Sequence, residues 1–332
     1  MKNRHLLEVS NLQTYFYTFE GVARAVNGVS YFLDKGETLG IVGESGCGKS
    51  VTASSVMRIL PEPPAKIQGG SILFDGQDLA ELSQKEMRKI RGSRIAMIFQ
   101  EPMTSLNPVF TIGNQISEMF ILHKGMNRRE ALEASADMLN RVQIPAPHQR
   151  VHEYPHQLSG GMRQRAMIAM ALACEPEILI ADEPTTALDV TVQAQILDIM
   201  LKLKEETGTA IQMITHDLGV IAETSNRIIV MYAGKVVEEA DTVELFTQTL
   251  HPYTKGLLQS IPLLGSRSAG TQQTLNEIKG TVPSLFEIPA GCAFRQRCRH
   301  AMKVCAEQEP ELKNVASSHA VRCWLHIPQE KK

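Results

Sequence analysis

The segment that begins at Gly43 has residue types and a spacing suited to binding a polyphosphate. Residues 43–50 read GESGCGKS, which fits the pattern G-x-x-x-x-G-K-[ST]. Glycines let a backbone fold closely around phosphates with its N–H groups pointing inward, and a helix N-terminus adds partial positive charge. Lys49 would reach the β- and γ-phosphates, and the Ser50 hydroxyl would bind Mg²⁺. The predicted nucleotide contacts here are Gly43, Ser45, Gly46, Cys47, Gly48, Lys49, Ser50 and Val51.

The elements that must position this loop are present on both sides of it. Residues 39–42 form an apolar run typical of a buried strand, and residues 50–60 contain few helix breakers. A strand, a glycine-rich loop and a helix in this order make a fortuitous match to the pattern improbable. The sequence therefore predicts nucleoside triphosphate binding.

Polar side chains follow three apolar segments that are predicted to be buried parallel strands. These segments are residues 95–99, 178–181 and 209–215. They end at Gln100, at Asp182 with Glu183, and at His216, and ligands of open α/β sheets bind beyond the carboxyl ends of strands. Two adjacent carboxylates there are costly unless a cation or a reaction uses them. We therefore expect Asp182 to bind Mg²⁺ and Glu183 to act as a general base.

A second glycine motif precedes a helix later in the chain. Ser159, Gly160 and Gly161 come just before a segment whose apolar residues recur at helical spacing. A helix N-terminus is an anion-binding device, so the chain contains two of them.

Two other regions complete the architecture. Residues 6–17 and 22–35 alternate apolar and polar positions, which predicts antiparallel strands, and Phe16 is our candidate for stacking on adenine, with ordinary packing as the alternative. Residues 118–142 are rich in helix formers, so a small helical insertion is predicted at about 103–158. A hairpin is predicted around residues 233–235.

Composition limits the function classes. The 332 residues carry a formal net charge of -2, which gives no sign of nucleic-acid binding. No apolar run approaches the roughly 18 residues that span a bilayer, and the N-terminus lacks a secretory apolar core. We expect a soluble, cytoplasmic chain whose membrane role, if any, comes through a partner.

The order of these motifs resembles that of the ATP-binding cassette (ABC) ATPases over residues 6–240, and the second glycine motif is the discriminating one. The resemblance implies an α/β fold of the P-loop NTPase type: a RecA-like parallel sheet, an N-terminal antiparallel β subdomain and a helical insertion. Residues 1–240 would form this ATPase domain, and residues 241–332 a small cysteine-rich extension. DNA-repair-type and translation-type members are less favoured, because the chain has no long heptad run and only one cassette.

The same resemblance implies residue roles. ATP would lie between the phosphate loop of one subunit and the Ser159–Gly161 helix of another. Gln100 would contact the metal and the attacking water, Glu183 would activate that water, and His216 would contact the γ-phosphate. Asp189 would couple the two sites across the interface, so it joins the nucleotide-contacting set.

Beyond the cassette, the sequence looks like the oligopeptide/dipeptide importer ATPases. The similarity rests on QEPMTSLNP at residues 100–108, HPYT at 251–254, the cysteine-rich tail, and Met162 in the second glycine motif. It implies two ATPase subunits, two membrane permeases and an extracytoplasmic solute-binding protein, with the chain on the cytoplasmic face of the membrane. Nickel, glutathione or another small solute is the alternative cargo. Because Met162 cannot hydrogen-bond nucleotide as the more usual Gln can, a hetero-pair of ATPases is favoured.

Four cysteines in the tail have a spacing that could hold iron or zinc. They follow the pattern C-x5-C-x6-C-x17-C. The absence of tight C-x2-4-C pairs, together with the family resemblance, favours a structural [4Fe–4S] cluster over zinc, and free buried thiols are a third reading. His300 and His319 are expected to be exposed, residues 265–280 to loop out, and Cys47 to be open to oxidation or alkylation. The four tail residues are Cys292, Cys298, Cys305 and Cys323.

Overall fold

A computed structural model describes residues 5–100, 105–186, 188–260 and 278–327. The strands are β1 Leu7–Thr18, β2 Gly21–Leu33, β3 Thr38–Val42, β4 Ala65–Phe74, β5 Gln77–Asp78, β6 Ile95–Ile98, β7 Ile178–Asp182, β8 Ala210–Ile214, β9 Arg227–Tyr232, β10 Lys235–Asp241, β11 Lys313–Ala316 and β12 His319–Val321. The helices are α1 Lys49–Met57, α2 Gln84–Ile90, α3 Ile112–Lys124, α4 Arg128–Arg141, α5 Pro147–Arg150, α6 Gly160–Leu172, α7 Val190–Thr207, α8 Leu218–Thr224, α9 Thr242–Thr247, α10 Pro252–Gln259 and α11 Val304–Glu307.

The chain divides into two compact units. Unit 1 contains Leu33–Thr38 and Glu81–Ile214 together with the N-terminal stretch that ends at Leu6. Unit 2 contains Leu7–Phe32 and Leu39–Ala80, and the chain returns to it from Thr215 onward. The phosphate loop and the cysteine-rich tail therefore belong to the same unit.

One sheet of unit 2 has the strand order β2-β1-β4-β5. β1 pairs antiparallel with β4, which confirms the strands predicted from alternation at the N-terminus. The register shifts after Ser10, where Asn11 has φ 49°. Opposite this bulge lies Gly70, and a Cβ there would come 2.5 Å from the Asn11 carbonyl oxygen, so the bulge requires glycine.

The other strands of unit 2 follow the order β11-β12-β10-β9-β3. β9 pairs parallel with the buried β3, and β9 and β10 form the predicted hairpin, with Ala233 at φ 46° and Gly234 at φ 79° in its turn. β12 pairs antiparallel with β10, so the tail adds strands to this sheet of unit 2. The sheet thus continues across position 240, where the sequence predicts a boundary.

Unit 1 is built around parallel strands β6, β7 and β8. Ile95 pairs with Ile178, and Ile178 pairs with Ala210. β7 and β8 are buried along their whole lengths, as expected for strands covered on both faces. Because β6 and β7 are parallel, their carboxyl ends lie at the same edge of the sheet.

Helices fill the part of unit 1 in which the insertion is predicted. α3 begins after Thr111, whose side chain accepts a hydrogen bond from the Asn114 N–H, and α4 begins after Asn127 in a capping box with Glu130. The hydroxyls of Ser117 and Ser135 form a buried 2.9 Å hydrogen bond between these two helices. In the described residues no helix has the length and apolar character needed to cross a bilayer.

The prediction that His319 is exposed is wrong, although His300 is exposed as expected. His319 is 2% exposed, and its Nε2 lies 2.8 Å from Oε1 of the fully buried Glu238. The Glu238 carboxylate also accepts the backbone N–H groups of Leu250 and His251. A histidine in a tail gives no sequence signal of a buried carboxylate 81 positions earlier.

Replacing His319 by alanine is expected to destabilise unit 2. The change leaves the buried Glu238 carboxylate short of a partner, which costs about 3 kcal/mol. Chemical denaturation of the wild type and of His319→Ala measures the effect, and His300→Ala in the same tail is the matched exposed control, expected to stay within about 0.5 kcal/mol. Equal stability of both variants would contradict the structural role of the pair.

Candidate functional site

The phosphate loop of unit 2 adopts a conformation that only glycine accommodates at two positions. Gly43 has φ 152°, and a Cβ on it would lie 2.3 Å from the Met231 carbonyl oxygen. Gly48 has φ 102°, and a Cβ there would lie 2.3 Å from the Ala25 carbonyl oxygen. The loop is therefore fixed by close backbone contact with β9 and β2.

Lys49 places its charge inside this loop. The side chain is 6% exposed, and its Nζ donates to the carbonyl oxygens of Gly43, at 2.7 Å, and Glu44, at 3.1 Å. Ser45, Gly46 and Ser50 are exposed at the loop and at the start of α1. An ammonium group, an exposed hydroxyl and a helix N-terminus at one loop suit a bound polyphosphate.

Cys47 is not the reactive thiol that the sequence suggests. Its side chain is fully buried, and a Cβ on Gly43 would come 2.8 Å from its Sγ. Burial raises the pKa of the Cys47 thiol, with nearby Lys49 opposing the shift. Burial and the raised pKa both disfavour reaction of the Cys47 thiol, which packs beneath the loop.

Glu44, the second residue of the loop, is held by side chains of the tail, which the sequence analysis did not foresee. Nη1 of Arg297 donates a hydrogen bond to Oε2 of Glu44 at 2.6 Å, and Nη2 donates one to Oε1 at 2.8 Å. The backbone N–H of Glu44 donates to the Tyr253 hydroxyl at 2.7 Å. Burial raises the pKa of Tyr253, so this hydroxyl is neutral and available as an acceptor. Nothing in the spacing of residues 44, 253 and 297 indicates that they meet.

Unit 1 brings Gln100 and Glu183 together at the carboxyl ends of β6 and β7. The Gln100 Nε2 donates to the Glu183 Oε2 at 3.0 Å, and the Thr186 hydroxyl donates to the same oxygen at 2.8 Å. Glu183 has φ 48°, an unusual conformation for a non-glycine residue, and its N–H donates to the Ile214 carbonyl oxygen at 2.8 Å. Thr186 is an addition to the predicted set.

Asp182 lies beside this pair in sequence, as the last residue of β7. It is 4% exposed and pairs in register with Ile214 of β8. Carboxylate and amide oxygens are donors that Mg²⁺ prefers, so the side-chain chemistry of Asp182 and Gln100 in unit 1 suits that ion. The Ser50 hydroxyl in unit 2 is a donor of the same kind.

Two helix N-termini of unit 1 carry predicted site residues. Ser159 caps α6, accepting from the Met162 N–H at 3.3 Å, and both Ser159 and Gly160 are exposed. Asp189 caps α7, accepting from the Val192 N–H at 3.0 Å, and is also exposed. The second glycine motif therefore lies at an open helix N-terminus of a 13-residue helix.

His216 and Phe16 lie in unit 2. His216 is exposed, two residues beyond the end of β8 and just before Asp217, the N-cap of α8. Phe16 is half-buried on β1 and pairs in register with Ala65 of β4. Their roles at the nucleotide stay predictions.

The four tail cysteines line one cavity of unit 2. In the part of the chain that the structure describes, no three His, Cys, Asp or Glu side chains are grouped as ligands of a single metal ion. Burial raises the pKa of Cys292 to about 11 and also raises the pKa values of Cys298 and Cys323. Arg295 lines the same cavity, and its buried Nη1 has no hydrogen-bond partner among the described residues.

Comparison with known proteins identifies the family. The ABC transporter family model matches residues 26–186, and the model for the oligopeptide/dipeptide transporter C-terminal region matches residues 237–305. A probable peptide ABC transporter ATP-binding protein of Sinorhizobium fredii is 56% identical over 319 residues, covering 96% of this chain and 94% of the relative. The chain belongs to the ABC transporter ATPases.

Other relatives and solved structures agree with this assignment. The dipeptide transport ATP-binding protein DppD of Bacillus subtilis is 52% identical over 96% of this ABC ATPase and 94% of its own length. A bacterial ABC transporter cassette solved as a dimer has a TM-score of 0.64 and 29% identity, covering 71% of this chain and 98% of that one. A post-hydrolysis cassette dimer bound to ADP and Pi gives the same values. The P-loop NTPase fold and ATPase activity expected from the sequence are confirmed.

Proposed function

We propose that this ABC ATPase powers a membrane importer of dipeptides or oligopeptides. The proposed ATP hydrolysis is supported by the hydrogen bond between Gln100 and Glu183. This bond pairs a water-positioning amide with a carboxylate base at the ends of neighbouring strands. The substrate class is supported by the tail, which matches the oligopeptide/dipeptide transporter C-terminal region. It is also supported by relatives that are named as peptide transport ATP-binding proteins.

We assign the phosphates of ATP to the loop at residues 43–50. Backbone N–H groups and Lys49 would hold the β- and γ-phosphates, and Phe16 would stack on adenine. On binding, Lys49 would exchange its loop carbonyl partners, Gly43 and Glu44, for phosphate oxygens. Since the ammonium is already within the loop, little rearrangement is required.

We assign water activation to Glu183. Its Oε2 would accept a proton from the attacking water, Gln100 would orient that water, and His216 would contact the γ-phosphate. Mg²⁺ bound by Ser50, Asp182 and Gln100 would neutralise charge on the phosphoryl oxygens. Phosphoryl transfer needs mainly positioning and electrostatic stabilisation, and these residues supply both.

We further propose that ATP joins two ATPase subunits. The exposed N-terminus of α6, with Ser159, Gly160 and Gly161, would face the triphosphate bound to a second subunit, and Asp189 would couple the two sites. Splitting ATP removes that bridge and lets the subunits separate, which drives the attached permeases. Met162 favours a hetero-pair, supplied with cargo by an extracytoplasmic solute-binding protein at the other side of the membrane.

The tail cysteines are proposed to hold a [4Fe–4S] cluster. The cavity offers four thiols, and the unpaired Nη1 of Arg295 would donate to an anionic cluster. Zinc is the less favoured alternative, because the cysteines lack the tight C-x2-4-C pairs typical of zinc sites. The cluster would be structural, holding the tail on unit 2.

Glu183→Gln is expected to abolish turnover while ATP still binds. Glutamine keeps the shape of the side chain but cannot take a proton, so phosphate release should fall by at least about 100-fold. Glu205→Gln, an exposed change on α7, is the matched control and should hydrolyse ATP at the wild-type rate. Unchanged phosphate release by Glu183→Gln would remove Glu183 from the base role.

Anaerobic purification is expected to yield a brown protein with about four iron and four sulfide ions per chain. Cys298→Ser should lose most of the iron, because it removes one of the four ligands. Cys174→Ser, a buried thiol of unit 1, is the control and should retain it. Stoichiometric zinc without sulfide would establish the zinc alternative and contradict the cluster.

A further inference from the structure

In unit 2, side chains of the tail contact the phosphate loop at Glu44. Both carboxylate oxygens of Glu44 accept from Arg297, at 2.6 and 2.8 Å, and its backbone N–H donates to Tyr253 at 2.7 Å. A two-point guanidinium–carboxylate pair fixes orientation as well as distance. Three contacts from the tail therefore determine where this loop residue lies.

Arg297 is itself held rigidly. Its side chain is 4% exposed, and it also donates to the carbonyl oxygens of Ile278 and Lys279, each at 3.2 Å. Its guanidinium carbon lies 5.8 Å from the ring centre of Tyr232 and 5.9 Å from that of Phe294. An arginine fixed on several sides loses little further freedom in holding Glu44.

The rings behind the guanidinium are packed against one another. The ring centres of Tyr232 and Phe294 are 5.3 Å apart, and those of Tyr253 and Phe294 are 5.4 Å apart. Tyr232 and Tyr253 lie at 4.7 Å. Since Tyr232 ends β9 and Tyr253 belongs to α10, one aromatic cluster supports both contacts that hold Glu44.

A carboxylate at this point of the loop would oppose ATP binding unless it were neutralised. Glu44 follows Gly43 directly, and the Lys49 Nζ lies 3.1 Å from the Glu44 carbonyl oxygen. A free Glu44 carboxylate would repel the triphosphate and compete with it for the Lys49 ammonium. The guanidinium of Arg297 pairs with both carboxylate oxygens of Glu44 and so neutralises that charge.

We propose that Arg297 is a positioning residue for ATP: it neutralises and orients Glu44, and so makes the affinity of the phosphate loop depend on the tail. The proposal rests on the assignment of residues 43–50 to the phosphates. The tail would then influence nucleotide affinity in addition to folding as part of unit 2. That control would lie one residue before Cys298, which is one of the four cysteines lining the tail cavity.

The test is a charge-rescue series in the full chain, read as the Kd of a fluorescent ATP analogue with Mg²⁺. Arg297→Ala should weaken binding about tenfold, which corresponds to 1.4 kcal/mol. Arg297→Ala combined with Glu44→Gln should bind within about threefold of wild type, because the unpaired charge is gone. Arg297→Lys keeps the charge without the two-point geometry and should fall between wild type and Arg297→Ala.

Arg299→Ala is the matched control, since Arg299 is an exposed arginine two positions away and should bind as wild type does. Equal affinity of Arg297→Ala and Arg299→Ala overturns the proposal, as does a double variant no better than Arg297→Ala. If Arg297→Ala fails to fold, Arg297→Lys with and without Glu44→Gln gives the same comparison. Lys49→Ala separates the two levels: if it binds as well as wild type, the assignment of the phosphate loop itself fails.

Discussion

The catalytic machinery depends on how closely the phosphate loop approaches its neighbouring strands. At Gly43 and Gly48 a single added carbon would collide with a backbone carbonyl of β9 or β2. These contacts hold the loop in place, so on the proposed assignment its N–H groups and the Lys49 ammonium would need little reorganisation to bind a triphosphate. The buried Cys47 thiol belongs to the same packing, which keeps it away from solvent.

A second constraint is the parallel register of β6 and β7. Because Ile95 pairs with Ile178, the two strands end together and deliver Gln100 and Glu183 within hydrogen-bond distance. In this position Glu183 has a positive φ, which is unfavourable for a residue other than glycine. Hydrogen bonds to the Thr186 hydroxyl and the Ile214 carbonyl oxygen hold it there. A side chain constrained in this way is suited to orient one water molecule.

Local patterns in the sequence predicted most of the fold and the residues at the strand ends. Apolar runs indicated β6, β7 and β8, alternation indicated β1 and β2, and the glycine-rich motif located the loop, because each depends on neighbours within a few positions. The burial of His319 and the Arg297–Glu44 pair could not be predicted, since each depends on partners far apart in sequence. The burial of Cys47 could not be predicted for the same reason. The motif identifies the loop but not the strands that pack against it.

If two subunits close on one ATP through the N-terminus of α6, sedimentation of the ATPase pair with Mg²⁺ and ATP detects their association. A Glu183→Gln background prevents hydrolysis during the measurement. Gly160 is exposed, and a Cβ on it would meet no described atom within 4 Å, so Gly160→Glu adds a negative charge there without disturbing the fold. We predict ATP-dependent association that Gly160→Glu weakens at least about tenfold. Association that is independent of ATP, or equally tight in Gly160→Glu, would contradict closure of two subunits on ATP at this helix.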